Sequence, residues 1–107
     1  MRRQAHALND AGNQASLRKD WPAAIADYRQ ALSLDHPRGG FEGAYVTVVI
    51  NNLAIAMNNQ AMTAYFQGNY DAAIAGLQQA LQVNPRNKTA KGNLFCAQAM
   101  KAFYAGD

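Results

Sequence analysis

Apolar residues recur along most of this chain at the three- and four-residue spacing of amphipathic helices. The pattern predicts helices over residues 4–18, 21–34, 43–66, 70–83 and 88–104, with a loop over 35–42. Capping and helix-breaking residues mark several boundaries: Asp20 and Asn69 precede two of these helices, and Gly68 and Pro85 follow two. The sequence therefore predicts an all-α fold, with residues 1–107 forming a single domain.

One segment is open to a second interpretation. Residues 44–50, AYVTVVI, are rich in β-branched side chains and favour a strand. A lone strand would have no partner in an otherwise helical chain, however. Val49, Leu53 and Met57 also fall on one helical face. We therefore interpret residues 43–66 as one long helix.

Two internal repeats organise the chain. Residues 21–34, WPAAIADYRQALSL, and residues 70–83, YDAAIAGLQQALQV, are identical at seven of fourteen positions. A second echo joins residues 60–68 and 98–106, where five of nine positions match, so the last predicted helix resembles the first helix of a further unit. Repeated helical units bury their apolar faces by stacking on each other, and the stack presents surfaces that bind other molecules.

The repeated residues resemble the tetratricopeptide repeat, a helix pair with small residues where the helices cross, an aromatic residue early in the second helix and a proline after it. The matching residues of the first unit are Leu8, Gly12, Trp21, Ala24, Tyr28 and Ala31. Those of the second unit are Met57, Ala61, Gly68, Tyr70, Ala73, Leu77, Ala80 and Pro85. The resemblance implies antiparallel helix pairs stacked as a short right-handed superhelix, with two repeats and a further helix.

The spacing of the two units departs from the family pattern. The equivalent residues Ala24 and Ala73 are 49 positions apart (73 − 24 = 49), whereas a typical unit has about 34 residues. The excess falls between the units and lengthens the first helix of the second one. The tetratricopeptide domains of large immunophilins look similar, with an elongated helix at this junction.

The resemblance also implies a concave groove lined by the first helix of each unit. By family position, the residues that would hold a peptide there are Asn9, Asn13, Leu17, Asn59, Met62, Phe66 and Asn93. In chaperone-binding members, two asparagines and three basic residues grip a C-terminal carboxylate. Asn13 and Asn59 match the asparagines, but Asn9, Thr89 and Asn93 stand where the basic residues would be. Because charge-assisted hydrogen bonds are the strong ones, this mismatch argues against carboxylate capture.

Composition narrows the function without naming a partner. The net charge of +3 is mild and the basic residues are dispersed, unlike the dense basic stripe of a nucleic-acid binder. A single cysteine, Cys96, rules out an intramolecular disulfide, and with no recognisable signal peptide it favours a cytoplasmic setting. No catalytic constellation, cofactor motif or metal-ligand cluster stands out, so we expect no enzyme activity, cofactor or metal. The apolar run 44–50 is too short to span a membrane.

The sequence thus predicts a non-enzymatic adaptor or scaffold that binds a peptide or protein segment in its groove. Two alternatives stay open. The first is a self-assembling structural module that forms a homo-oligomer through the long helix or the open C-terminal end. The second is an RNA-binding helical repeat, which the mild charge and the small number of units disfavour.

Overall fold

A computed structural model describes residues 2–35 and 43–104 of the chain, with the side chains of residues 4–34 and 46–104. The helices are α1 (Arg2–Leu17), α2 (Trp21–Asp35), α3 (Gly43–Phe66), α4 (Tyr70–Val83) and α5 (Lys88–Tyr104). The described residues contain no strand, which confirms the predicted all-α fold. Residues 43–50 are helical, and Asp35 ends α2 rather than beginning a loop. The rest of the predicted loop, residues 36–42, lies outside the described residues, and the single-domain assignment stays a prediction.

The helices pack as two antiparallel hairpins, α1 on α2 and α3 on α4. In both hairpins, small residues allow the two helices to approach closely. A Cβ added to Gly12 would lie 2.5 Å from the ring of Tyr28, and one added to Gly76 would lie 2.9 Å from the Cβ of Ala61. Fully buried alanines of α2 and α4 surround these crossings, among them Ala24, Ala31, Ala73 and Ala80. The residues that the two units share are therefore the residues that pack the hairpins.

Both hairpins turn in the same way. The turn after α1 contains Lys19 with a φ of 60°, and the turn after α3 contains Gly68 with a φ of 82°. The next residues, Asp20 and Asn69, cap the second helix of each pair: their side-chain oxygens accept from the backbone N–H three residues later, at 3.4 and 3.3 Å. Asn87 caps α5 in the same manner, at 3.1 Å from the N–H of Ala90.

Successive helices pack in chain order, and the odd-numbered helices also contact one another. α1 touches α3 and α3 touches α5, whereas α2 and α4 make no contact in the described part of the chain. We call the side formed by α1, α3 and α5 the inner face. The molecule is elongated, with extents of 52 × 25 × 17 Å and a Cα radius of gyration of 15.1 Å. A compact domain of about 100 residues has a radius of about 13 Å, so the helices form an open stack.

Candidate functional site

Asparagine side chains bridge the odd-numbered helices of the inner face. Asn52 of α3 donates from Nδ2 to Oδ1 of Asn9 on α1 at 3.2 Å, and Asn93 of α5 donates from Nδ2 to Oδ1 of Asn58 on α3 at 3.0 Å. The two acceptors occupy equivalent repeat positions, and each is only 6% exposed. Buried polar atoms are costly unless they are hydrogen-bonded. These bonds therefore hold α1, α3 and α5 in register.

A cavity of about 360 Å³ opens where α3 meets the turn between α4 and α5. Its volume is within the range of roughly 300–1,000 Å³ that is usual for ligand sites. None of the side chains that line it is charged, and most carry an amide. We call it the asparagine pocket; its lining residues are Asn51, Ile55, Asn58, Asn59, Asn84, Asn87 and Thr89.

Backbone donors fix the orientation of two amides in the asparagine pocket. The N–H of Ala90 donates to Oδ1 of Asn87, and the N–H of Arg86 donates to Oδ1 of Asn84 at 3.2 Å. Asn84 in turn donates from Nδ2 to Oδ1 of Asn51 at 2.7 Å. The side-chain oxygens of all three asparagines are thus occupied. The amide N–H groups of Asn51 and Asn87 have no partner among the described residues.

Asn58 adds a buried donor to the pocket. Its Oδ1 accepts from Asn93, while its Nδ2 has no partner in the described part of the chain. A buried N–H without a partner costs roughly 1–3 kcal/mol. Thr89 lies in the first turn of α5, where backbone N–H groups lack intrahelical acceptors and the helix dipole is positive. The pocket therefore offers an excess of N–H donors and suits a ligand that supplies oxygen acceptors.

The polar residues of the predicted groove have different surroundings. Asn9 and Asn93 form the bridges across the inner face. Asn13 accepts at Oδ1 from the hydroxyl of Tyr28 on α2 at 2.6 Å and, at 3.5 Å, from Nδ2 of Asn52 on α3. Asn59 lines the asparagine pocket, and its side chain has no hydrogen-bond partner among the described residues. Of this polar set, only Asn59 lies in the pocket.

The apolar residues of the predicted groove lie away from the pocket lining. Leu17 and Phe66 are 78% and 79% exposed, at equivalent positions at the ends of α1 and α3. Met62 is half-buried against the core. Leu17 and Phe66 are therefore large apolar side chains that the packing of the described residues leaves largely in solvent.

Most of the asparagine pocket was missed by the sequence prediction. The missing residues are Asn51, Ile55, Asn58, Asn84 and Asn87, while Thr89 was considered only as a clamp position. A signal does exist in the sequence, because asparagines are concentrated at 51–52, 58–59 and 84–87. Their convergence depends on how the turn after α4 lies across α3, and helical periodicity does not specify that relationship.

Aromatic rings form a continuous row across the ends of α3, α4 and α5. The ring centroids of Tyr65 and Tyr70 are 5.4 Å apart, and Tyr70 stacks on Tyr104 at 5.8 Å with an interplanar angle of 10°. Desolvation of the Tyr70 phenol, and then its neighbours Tyr104 and Tyr65, raise the pKa of Tyr70. Beside this row, the Nζ of Lys101 lies 2.7 Å from a carboxylate oxygen of Asp71, and this hydrogen bond raises the pKa of Lys101.

Antiparallel helix pairs that repeat in sequence, with the first helices of successive pairs side by side, define a helical-repeat protein. Residues 54–87 match the family model of the tetratricopeptide repeat. This match and the five-helix fold are consistent with a tetratricopeptide-repeat protein, and they confirm the resemblance seen in the sequence for the second repeat unit. The matched unit begins inside α3, so residues 43–53 form the extra length of that helix. A comparison with curated proteins gave no match.

The family defines a broad class of function. Tetratricopeptide repeats are generally modules for protein–protein interaction and are typically non-enzymatic. Their presence therefore indicates a protein partner. In the two described stretches of this chain, no helix is both long enough and apolar enough to cross a lipid bilayer.

Proposed function

We propose that this protein is a non-enzymatic adaptor that binds an extended segment of a partner protein along its inner face. In this proposal a backbone carbonyl of the segment enters the asparagine pocket. The observation that carries the proposal is that Asn58 lines the cavity, is 6% exposed and has its oxygen occupied by Asn93, while its amide N–H groups have no partner among the described residues. A carbonyl oxygen would supply the missing acceptor.

The chemistry of the pocket favours a neutral acceptor. The side-chain N–H₂ groups of four lining residues have no partner among the described residues: Asn51, Asn58, Asn59 and Asn87. An extended peptide presents carbonyl oxygens at regular intervals along its backbone. A carboxylate would bring a negative charge into a pocket whose lining contains no cation to neutralise it. The pocket therefore favours the interior of a peptide segment over its C-terminus.

The remaining groove residues have supporting roles in the proposal. Asn59 is half-buried in the pocket and donates to a neighbouring peptide group. Ile55 is 50% exposed and contacts an apolar side chain of the segment. Beyond the pocket, Leu17, Met62 and Phe66 provide further apolar contacts. In such an arrangement, hydrogen bonds to the peptide backbone provide affinity, and contacts with the peptide side chains provide specificity.

The test begins with a displayed library of peptides flanked on both sides by further residues, selected on the wild-type protein. The affinity of a selected peptide, amidated at its C-terminus, is then measured for Asn58→Asp and Asn59→Ala. Asn58→Asp retains the oxygen that accepts from Asn93 and replaces the N–H donor by a second oxygen. Gln78→Glu makes the same chemical change on the exposed surface of α4 and is the matched control.

We expect Asn58→Asp to weaken binding about tenfold or more, since a donor is replaced by a repelling acceptor. Asn59→Ala weakens it less, and Gln78→Glu leaves it unchanged. Equal affinities of wild type and Asn58→Asp, with both proteins folded by circular dichroism, would show that the pocket is not the binding site. A requirement for a free C-terminus would show that the ligand group is a carboxylate.

Self-association stays the alternative function that the sequence leaves open, and RNA binding stays the one that the sequence disfavours. Light scattering after size exclusion, over a tenfold or wider range of concentration, tests the first. Binding to homopolymer RNA at moderate salt tests the second, because electrostatic binding to nucleic acid is strongly salt-dependent.

A further inference from the structure

The outward side of α5 carries an exposed stripe of residues four positions apart. We call Lys91, Phe95, Ala99 and Phe103 the α5 stripe. Phe95 is 74% exposed and Phe103 is 68% exposed. The buried residues of α5 are Ala90 and Ala97, on the opposite side of the helix. In the described part of the chain, no helix therefore packs against Phe95 and Phe103, and both side chains are left largely in solvent.

The equivalent stripe on α3 is covered. The echo between residues 60–68 and 98–106 aligns the α5 stripe with Leu53, Met57, Ala61 and Tyr65. The first three are each 3% exposed, and Tyr65 is half-buried. α4 lies over this side of α3, with Gly76 directly against Ala61. The same pattern of side chains is thus covered by a packed helix on α3 and exposed to solvent on α5.

We propose that the α5 stripe is a docking site for an amphipathic helix of a partner protein, which lies antiparallel on α5 as α4 lies on α3. The two helices that fill this place within the chain share one pattern of buried side chains. It is small–large–small, with spacings of four and three residues, in Ala24–Tyr28–Ala31 and in Ala73–Leu77–Ala80. The docked helix carries the same pattern.

Charge selects an acidic helix as the occupant. α5 has three lysines and no acidic residue. Lys101 is paired with Asp71, whereas Lys88 and Lys91 are exposed and have no ion pair among the described residues. A second copy of α5 would bring like charges together, which is unfavourable. An acidic partner helix relieves the excess of positive charge.

The α3–α4 hairpin also indicates where the acidic residue belongs. Asn84, directly after α4, donates to Asn51, close to the start of the covered stripe at Leu53. Lys91 corresponds to Leu53 on α5. The docked helix therefore places its acidic residue at its C-terminal end, at the position that Val83 or Asn84 has relative to α4. The α5 stripe shares no residue with the asparagine pocket, so this inference is independent of the proposed function.

Two synthetic peptides test the inference. Both have the sequence of residues 69–84, capped at each end; one carries Val83→Glu and Asn84→Glu, and the other Val83→Lys and Asn84→Lys. Fluorescence anisotropy of the labelled peptides measures their affinity for the full chain. The protein variants are Ala99→Arg, which blocks the centre of the stripe, and Lys91→Glu, which reverses its charge. Both positions are exposed, so the variants keep the fold, which circular dichroism checks.

We expect the wild-type protein to bind the acidic peptide at least tenfold more tightly than the basic one. Ala99→Arg abolishes binding, Lys91→Glu reverses the preference, and the pocket variant Asn58→Asp has no effect. The inference is wrong if neither peptide binds at about 1 mM, a very weak affinity, or if both bind equally. It is also wrong if Asn58→Asp abolishes binding, or if a homodimer that Ala99→Arg disrupts occupies the stripe.

Discussion

Asn9 and Asn58 have the same structural role in two successive repeat units. Each is 6% exposed, and each accepts at its side-chain oxygen a hydrogen bond from an asparagine on the next odd-numbered helix. The donors are Asn52 and Asn93, at 3.2 and 3.0 Å. We call these two hydrogen bonds the amide ladder; because their acceptors are buried, the ladder is part of the packing of the helices. Of its four asparagines, only Asn58 also lines the asparagine pocket.

Removing one donor of this ladder should destabilise the fold. Asn52→Ala leaves the buried oxygen of Asn9 without its partner, which costs roughly 1–3 kcal/mol in the free energy of unfolding. Urea denaturation measures the change, with the exposed Gln78→Ala as the control, for which we expect a change within about 0.5 kcal/mol. Equal effects of the two substitutions would show that the bridge between α1 and α3 contributes nothing specific.

The turns after α1 and α3 provide a reciprocal pair of predictions. Lys19 and Gly68 hold the same repeat position, with φ angles of 60° and 82°. A residue with a Cβ is strained there by roughly 1–2 kcal/mol, whereas glycine is not. We therefore expect Lys19→Gly to raise the thermal midpoint and Gly68→Ala to lower it. A shift of the same sign in both variants would contradict this account.

Two helical glycines should respond in opposite ways to the same change. A Cβ at Gly12 would meet the buried ring of Tyr28 at 2.5 Å, whereas a Cβ at Gly92 meets nothing within 4 Å. Gly12→Ala should therefore destabilise the protein by about 1–3 kcal/mol through overpacking. Gly92→Ala should stabilise it by about 0.8–1 kcal/mol, because alanine has the higher helix propensity. Chemical denaturation of both variants compares the effects directly, and a stable Gly12→Ala would argue against the close crossing of α1 and α2.

Stability should fall at alkaline pH. Desolvation and its aromatic neighbours raise the pKa of Tyr70, and the hydrogen bond to Asp71 raises the pKa of Lys101. For a raised pKa, the stabilisation is fully present below the unfolded value, about 10 for both side chains, and is lost as pH rises through the folded value. The thermal midpoint should therefore fall above about pH 10.

The pH dependence has its own controls. Tyr70→Phe keeps an aromatic ring against Tyr104 without the ionisable hydroxyl, and Lys101→Met removes the cation. Each variant should reduce the fall of the thermal midpoint with rising pH. The control is Lys88→Met, which removes a lysine that has no ion pair among the described residues, and its pH profile should match that of wild type. Identical profiles for all three variants would show that these two groups are not responsible.

Helix boundaries and fold class could be predicted because they depend on local sequence. The glycines, prolines and capping residues mark where helices end, and Val49, Leu53 and Met57 distinguish a helix from a strand. The asparagine pocket could not be predicted in the same way. Its geometry depends on the hydrogen bond from Asn84, after α4, to Asn51 on α3, two residues that are distant in sequence. Family position alone placed Asn9 in the groove, whereas its side chain is 6% exposed within the packing of α1 and α3.

The most direct measurement is nuclear magnetic resonance of the side-chain amide groups while a C-terminally amidated peptide from the display selection is added. We predict that the N–H₂ resonances of Asn51, Asn58 and Asn87 shift together with increasing peptide, because their free donors meet carbonyl oxygens. The side-chain resonances of Gln78, on the exposed surface of α4, should stay in place. Saturable peptide binding with unchanged resonances of all three asparagines would contradict the central claim.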